Sequence, residues 1–173
     1  ITPSTILAIH RCLLEDTPLS EHAGQLRQVQ NWIGGSPYNP CSADFVPPPP
    51  EAVPELLADL ALLCNGDSLP AVVQAAIAHA QFETIHPFAD GNGRTGRALI
   101  HVVLRRRRLA TRYVPPMSVI LAADKVAYIR GLTRFREGDL DGWITQFAAA
   151  AARASGLAQS YLDAVQELQA HWR

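Results

Sequence analysis

Cysteine is scarce in this sequence and enters no motif: Cys12, Cys41 and Cys64 are odd in number, far apart and without a Cys-x-x-Cys pair. That spacing argues against a disulfide framework and a structural zinc site, and makes buried free thiols the expectation. No apolar run approaches the roughly 18 to 20 residues that span a bilayer, and no basic-then-apolar leader pattern opens the chain. The expected setting is therefore cytoplasmic, with no membrane partner. An excess of one charge is also missing, since the formal net charge is -1, which does not suit a basic body for blanket nucleic-acid binding. Neither an internal repeat nor a long strand-period pattern is present. What remains is 173 residues that are 48% hydrophobic, enough for one globular domain with one core over residues 1–173.

Helical spacing dominates. Thr2-Pro3 ahead of Ile6, Leu7, Ile9, Leu13 and Leu14 predicts a capped amphipathic helix that ends before Pro18. Gly34-Gly35-Ser36-Pro37-Tyr38-Asn39-Pro40 supplies turn formers for a loop or short hairpin, and Pro47 to Pro50 hold the backbone extended before a helix starts near Glu51. Val53, Leu56, Leu57 and Leu60 share one helical stripe. The Ala-rich stretch from Pro70 to about Ile85 is apolar on most faces and is expected to be the central buried helix. Further helices are predicted over Ala98 to Arg108, Ala123 to Arg136, Asp141 to Ala154 and Leu157 to about His171. The class is mainly α.

Between two of these helices lies His86-Pro87-Phe88-Ala89-Asp90-Gly91-Asn92-Gly93-Arg94-Thr95-Gly96-Arg97. Gly91, Asn92 and Gly93 permit backbone angles that turn successive N–H groups into one concavity, and the following helix adds its positive dipole end. Arg94 and Arg97, three residues apart, bring two planar forks to the same face, so the implied ligand is a polyphosphate. Asp90 would repel that ligand unless a divalent cation bridged them, which points to magnesium. The imidazole of His86 can take a proton near neutral pH, which suits in-line attack of a hydroxyl on a metal-held phosphate.

The loop resembles the signature of the Fic family, His-x-Phe-x-(Asp/Glu)-Gly-Asn-Gly-Arg-x-x-Arg, at every specified position. A weaker resemblance runs from about residue 24 to 143 and includes the Phe-Arg-x-Gly-Asp segment at Phe135 to Asp139. It implies a compact helical fold with a short β-hairpin flap at 36–46 and C-terminal helices over about 141–171. The implied activity is protein adenylyl transfer: AMP moves from ATP, with Mg, onto a Ser, Thr or Tyr hydroxyl of a target protein. In that scheme His86 is the base and Asp90 the metal ligand. Phe88 anchors the loop. Gly91, Asn92, Gly93, Arg94 and Arg97 hold phosphate, and Ser42, Ala43, Asp44 and Phe45 dock the target as an added strand. Transfer of phosphate or another phosphate-containing group is a second reading of the same resemblance, and a nucleotide-sensing module without turnover is a third.

Several plainer patterns compete. Gly91, Gly93 and Gly96 satisfy a dinucleotide fingerprint but follow a helix instead of a strand, and no Lys-Ser/Thr pair completes a Walker loop. His79 and His86 are poorly spaced for a metal and lack a third ligand nearby. Arg105 to Arg108 sit where cations complement a helix end, which argues against a nucleic-acid role. Thr133-Arg134-Phe135-Arg136-Glu137-Gly138 matches the short inhibitory pattern of some Fic proteins, yet Gly138 is expected to end a helix there. Arg97 is accordingly expected to be free, with restraint supplied by a separate inhibitory protein or by residues ahead of Ile1.

Overall fold

The computed structural model describes residues 1–172. Thr2 caps helix α1 (Pro3–Leu14): its hydroxyl accepts from the Thr5 N–H while the Thr5 hydroxyl accepts from the Thr2 N–H. Two donors that a helix start leaves unpaired are thereby satisfied. The proline run leads through a 3-10 turn at Pro50–Ala52 into α2 (Val53–Asn65). Next comes α3 (Ala71–Ile85), where Ala75, Ala76, Ala78, His79, Ala80 and Phe82 are all buried. Its small side chains let α2, α4 (Asn92–Arg106), α6 (Lys125–Arg136) and α7 (Leu140–His171) pack around it, as expected for the central helix.

Glycines set the closest approaches. A Cβ on Gly96 of α4 would stand 2.5 Å from Glu83 Oε1 and 2.9 Å from the Phe82 ring of α3. At Gly131 of α6 it would meet the Trp143 ring of α7 at 2.8 Å. Trp143 is fully buried and its Nε1 donates to the Ala76 carbonyl at 2.9 Å, which ties α7 to α3.

The mainly helical class holds, but the hairpin does not. Among the described residues the segment 36–46 forms no strand; a single antiparallel bridge joins Ile33 to Phe45. Pro37 and Pro40 lack N–H groups, and Asn39 caps a 3-10 turn at Pro40–Ser42 in the arm that would have been the second strand. The loop is closed at the Ile33–Phe45 bridge and by Ser36 N–H donating to Ser42 Oγ, with Gly34 and Gly35 at φ 76 and 68 turning the chain.

Helix boundaries also shift. α4 starts at Asn92, six residues before the predicted start, because Gly91 at φ 77 forms its N-cap and Thr95 N–H bonds the Gly91 carbonyl at 3.0 Å. The predicted helix at 123–136 is preceded by α5 (Met117–Ala123), and Asp124 both breaks the chain there and caps α6 by accepting from Ala127 N–H. The two predicted C-terminal helices are one helix, α7. Gly156 costs about 1 kcal/mol in a helix, too little to break a run of helix formers on both sides. Of the three thiols only Cys64 is buried.

Candidate active site

α3 ends at His86, whose backbone is left-handed at φ 48 and whose N–H bonds the Phe82 carbonyl at 2.9 Å. That turn throws Phe88 inward, where it is fully buried and stacks on His10 of α1 with ring centroids 3.7 Å apart. His10 accepts from Gly24 N–H on Nδ1, so its Nε2–H donates to the Asp90 carbonyl at 3.0 Å. Burial lowers its pKa from the ordinary value, which favours that neutral form. Arg27 grips the same loop from the other side. Its buried guanidinium donates to the carbonyls of His86 (2.9 Å), Ile85 (3.4 Å), Val29 (3.4 Å) and Pro48, and its own N–H to Pro87 (3.0 Å). Asn31 Nδ2 adds a bond to the Phe88 carbonyl at 3.1 Å.

Sequence reasoning missed these three supports. A signal existed for His10, a polar residue on the buried stripe of Ile6 and Leu14. None marked Arg27 or Asn31, which lie in a segment without periodicity.

The cradle itself is the start of α4. Gly91 N–H turns back to Asp90 Oδ1, and a Cβ at Gly91 would meet the His10 ring at 3.1 Å. Asn92, Gly93 and Arg94 occupy the first turn, where backbone N–H groups have no partner within the helix. They face a cavity of about 350 Å³ also lined by His86, Asp90 and Arg97. Only Gly91 needs its positive φ; Asn92 and Gly93 are helical. The Asn92 side chain is buried and spent on the loop, accepting from Phe88 N–H at 2.9 Å and donating to the Phe88 carbonyl at 2.7 Å. Only its backbone is left to offer an anion. Arg94 is half exposed with Nη2 4.0 Å from Asp90 Oδ1, and Arg97 Nη1 lies 3.0 Å from where a Cβ on Gly93 would be, over the cradle.

His86 sits at the rim. Its Nδ1 is buried without a partner, so Nε2 is the nitrogen left to face the cavity. Burial, and then the nearby Arg27 and Arg136, push its pKa down to about 4 against the pull of the Glu83 carbonyl and Asp90. The imidazole is neutral at neutral pH. Glu83, one turn earlier on α3, is raised to about 7 by burial despite Arg97 and Arg136.

Among the described residues no group of three His, Cys, Asp or Glu side chains could hold a metal ion. Asp90, with its side chain 59% exposed beside the free N–H groups, suits a cation that arrives with phosphate and keeps most of its water. His79 is a core residue: it is fully buried and its Nε2 lies 3.0 Å from the Tyr128 hydroxyl.

Near the flap, Phe45 lies under the Arg136 guanidinium at 3.7 Å from the ring centroid. The N–H groups of Ala43, Asp44 and Phe45 are already bonded to the carbonyls of Pro40 and Ile33. Ser42 Oγ accepts from Ser36 N–H at 3.0 Å. Little main chain is free there for an added strand. Of the arginine run, Arg106 and Arg107 pair with Asp67 at 2.8 and 3.3 Å. Glu137 caps α6, Gly138 turns left-handed at φ 91, and Arg134 pairs with Asp139 at 3.5 Å. Among the described residues no helix is long and apolar enough to cross a membrane.

Comparison with known proteins places this geometry. The chain is 32% identical over 168 residues to protein adenylyltransferase fic-1 of Caenorhabditis briggsae, covering 95% of this chain and 29% of that protein. It is 46% identical over 97 residues to a probable protein adenylyltransferase of Aquifex aeolicus, covering 56% and 28%. The fold superposes on a Fic family protein from Desulfovibrio desulfuricans with a TM-score of 0.76 at 29% identity, over 92% of this chain and 47% of that one. The chain thus spans under a third of the length of these curated relatives. The family model described as Fic/DOC family matches residues 1–104, which carry the loop, its helices and its three outside supports, and the chain belongs to that family.

Proposed function

We propose that this chain transfers AMP from ATP, with magnesium, to a Ser, Thr or Tyr hydroxyl of a target protein. The observation that carries the reading is the neutral His86 imidazole at the rim of a cavity that also receives the α4 N-terminus, Arg94 and Arg97. Three unpaired N–H groups and two guanidiniums suit the donor's phosphates. A neighbouring cavity of about 350 Å³ shares Arg97 and has Leu121, Tyr128 and Ile129 in its wall, an apolar surface suited to a nucleoside.

In this reading His86 Nε2 takes the proton of the target hydroxyl as its oxygen bonds the α-phosphorus, and the bond to the β-phosphate oxygen breaks to release pyrophosphate. Asp90 would hold magnesium, which supplies charge neutralisation for the phosphates. The target approaches past Ser42 to Phe45, where side chains and carbonyls, more than N–H groups, are left to meet it.

Exposure to ATP labelled on the α or the γ phosphate tests this. Label transferred from the α position supports AMP transfer. Transfer of the γ label instead makes the chain a phosphotransferase, and transfer of neither makes it a nucleotide-sensing module.

A further inference from the structure

Glu83 has no part in the scheme above, yet its carboxylate lies against His86. Oε2 stands 3.9 Å from His86 Nδ1, and the Glu83 side chain is only 7% exposed. Both His86 Nδ1 and Glu83 Oε1 are buried without a hydrogen-bond partner. We propose that Glu83 is the positioning residue of His86, the buried counter-charge that stabilises the imidazolium formed when His86 takes the hydroxyl proton. The proposal rests on His86 being the base, as proposed above.

The need for it is electrostatic. An imidazolium at His86 forms out of water and beside the guanidiniums of Arg27 and Arg136, all of which oppose it. The Glu83 main-chain carbonyl and two carboxylates can offset that cost. Asp90 is exposed, on the cavity side, and proposed to be engaged by magnesium. Glu83 alone is buried at the Nδ1 edge, on the far side of the ring from the reacting hydroxyl. In the step, the proton passes from the hydroxyl to Nε2, Nδ1–H stays on the ring, and Glu83 remains a carboxylate throughout.

A structural ion pair would be the plainer account, but among the described residues no guanidinium lies within 4.0 Å of Glu83; His86 does. The surroundings also fix the carboxylate. α4 presents Gly96 at the one point where any side chain would strike Oε1. The charged and titratable groups around the pair are His79 on α3, Arg97 on α4, and Tyr128 and Arg136 on α6, with Arg27 and Asp90 beside His86. α2 and α7 add none to the surroundings of Glu83. Because burial holds Glu83 near 7, its ionisation should appear as a rise in transfer rate around neutral pH, well above the step at about 4 due to His86 itself.

The test is Glu83→Gln, which keeps shape and removes charge, compared with the parent chain by AMP transfer from α-labelled ATP across pH 5 to 9. Expected is a loss in kcat of about 10- to 100-fold above pH 8, below the roughly 10,000-fold seen when a directly bonded triad carboxylate is neutralised. The KM for ATP should stay within about twofold and the rise near pH 7 should vanish. An NMR titration of the His86 ring should show a chemical-shift step near pH 7 in the parent, where the adjacent Glu83 ionises, and no such step in the variant, and this readout needs no turnover. If Glu83→Gln does not fold, Glu83→Asp, which retains the charge, should keep the rise near pH 7. Unchanged kcat in Glu83→Gln with the ring step near pH 7 retained, or loss of the rise in rate in Glu83→Asp, overturns the proposal. His86→Ala separates the two ideas: full activity there refutes the base itself, whereas an inactive His86→Ala with an unaffected Glu83→Gln refutes Glu83 alone.

Discussion

Replacing Asn92 by Ala should unlatch the phosphate loop, and the structure allows the cost to be worked out bond by bond. The side chain is 3% exposed and makes two bonds, both to the backbone of Phe88. The Phe88 carbonyl keeps a partner, because Asn31 Nδ2 also donates to it at 3.1 Å. The Phe88 N–H keeps none. An orphaned buried donor costs about 1–3 kcal/mol, and the lost second bond about 0.5–1.5 kcal/mol more. For a domain of this size each kcal/mol moves Tm by about 2–4 °C, so a fall of about 3–18 °C is expected. Asn92→Asp still accepts from Phe88 N–H but cannot donate, and should lie between the two proteins. Calorimetric melting with a parallel ATP titration checks this. A Tm within 2 °C of the parent, combined with lost ATP affinity, would refute the latch and make the amide a direct phosphate ligand.

His86→Ala should lower transfer by about 100- to 10,000-fold while leaving ATP affinity within a few-fold, measured by labelled transfer and calorimetry. Asp90→Ala should abolish the magnesium dependence of ATP affinity, and equal affinity with and without magnesium in the parent would refute that assignment. Glu137→Gly should not raise auto-modification or target modification, since Glu137 sits at the end of α6 beside the left-handed Gly138; a large gain would make it an inhibitory residue. Stability should also carry the mark of Glu83: its folded pKa of about 7 lies above the ordinary value of 4.5. The unfolded chain releases this proton first, so the contribution of Glu83 to folding stability falls as pH rises through that window, against the rise that His79 and His86, both lowered from 6.5 to about 4, contribute there. When denaturant unfolding is compared at pH 5 and pH 8, Glu83→Gln should therefore gain more stability, or lose less, than the parent.

Much of this protein could be read from sequence because the relevant physics is local. The helices α1, α2 and α3 follow from apolar spacing and from Thr2 and the prolines at their starts. The chemistry of the 86–97 loop follows from its residue types, since glycines, two arginines, a carboxylate and an imidazole within twelve positions suit few ligands but a metal-held phosphate. Other features depended on what lies across the fold. Gly93 and Gly96 hide a helix from propensity, although α4 runs straight through them once Gly91 caps it and close packing on α3 requires a glycine at position 96. A hairpin at 36–46 would have needed N–H groups that Pro37 and Pro40 do not have. The supports His10, Arg27 and Asn31 lie 55 or more positions from the backbone atoms they hold in the loop, and the counter-charge Glu83 shows its proximity to His86 only when α3 turns left-handed at its end. Periodicity and residue chemistry act over a few residues and are written in the chain, whereas burial, orphaned polar atoms and the pKa shifts they cause exist only once distant segments close around one another.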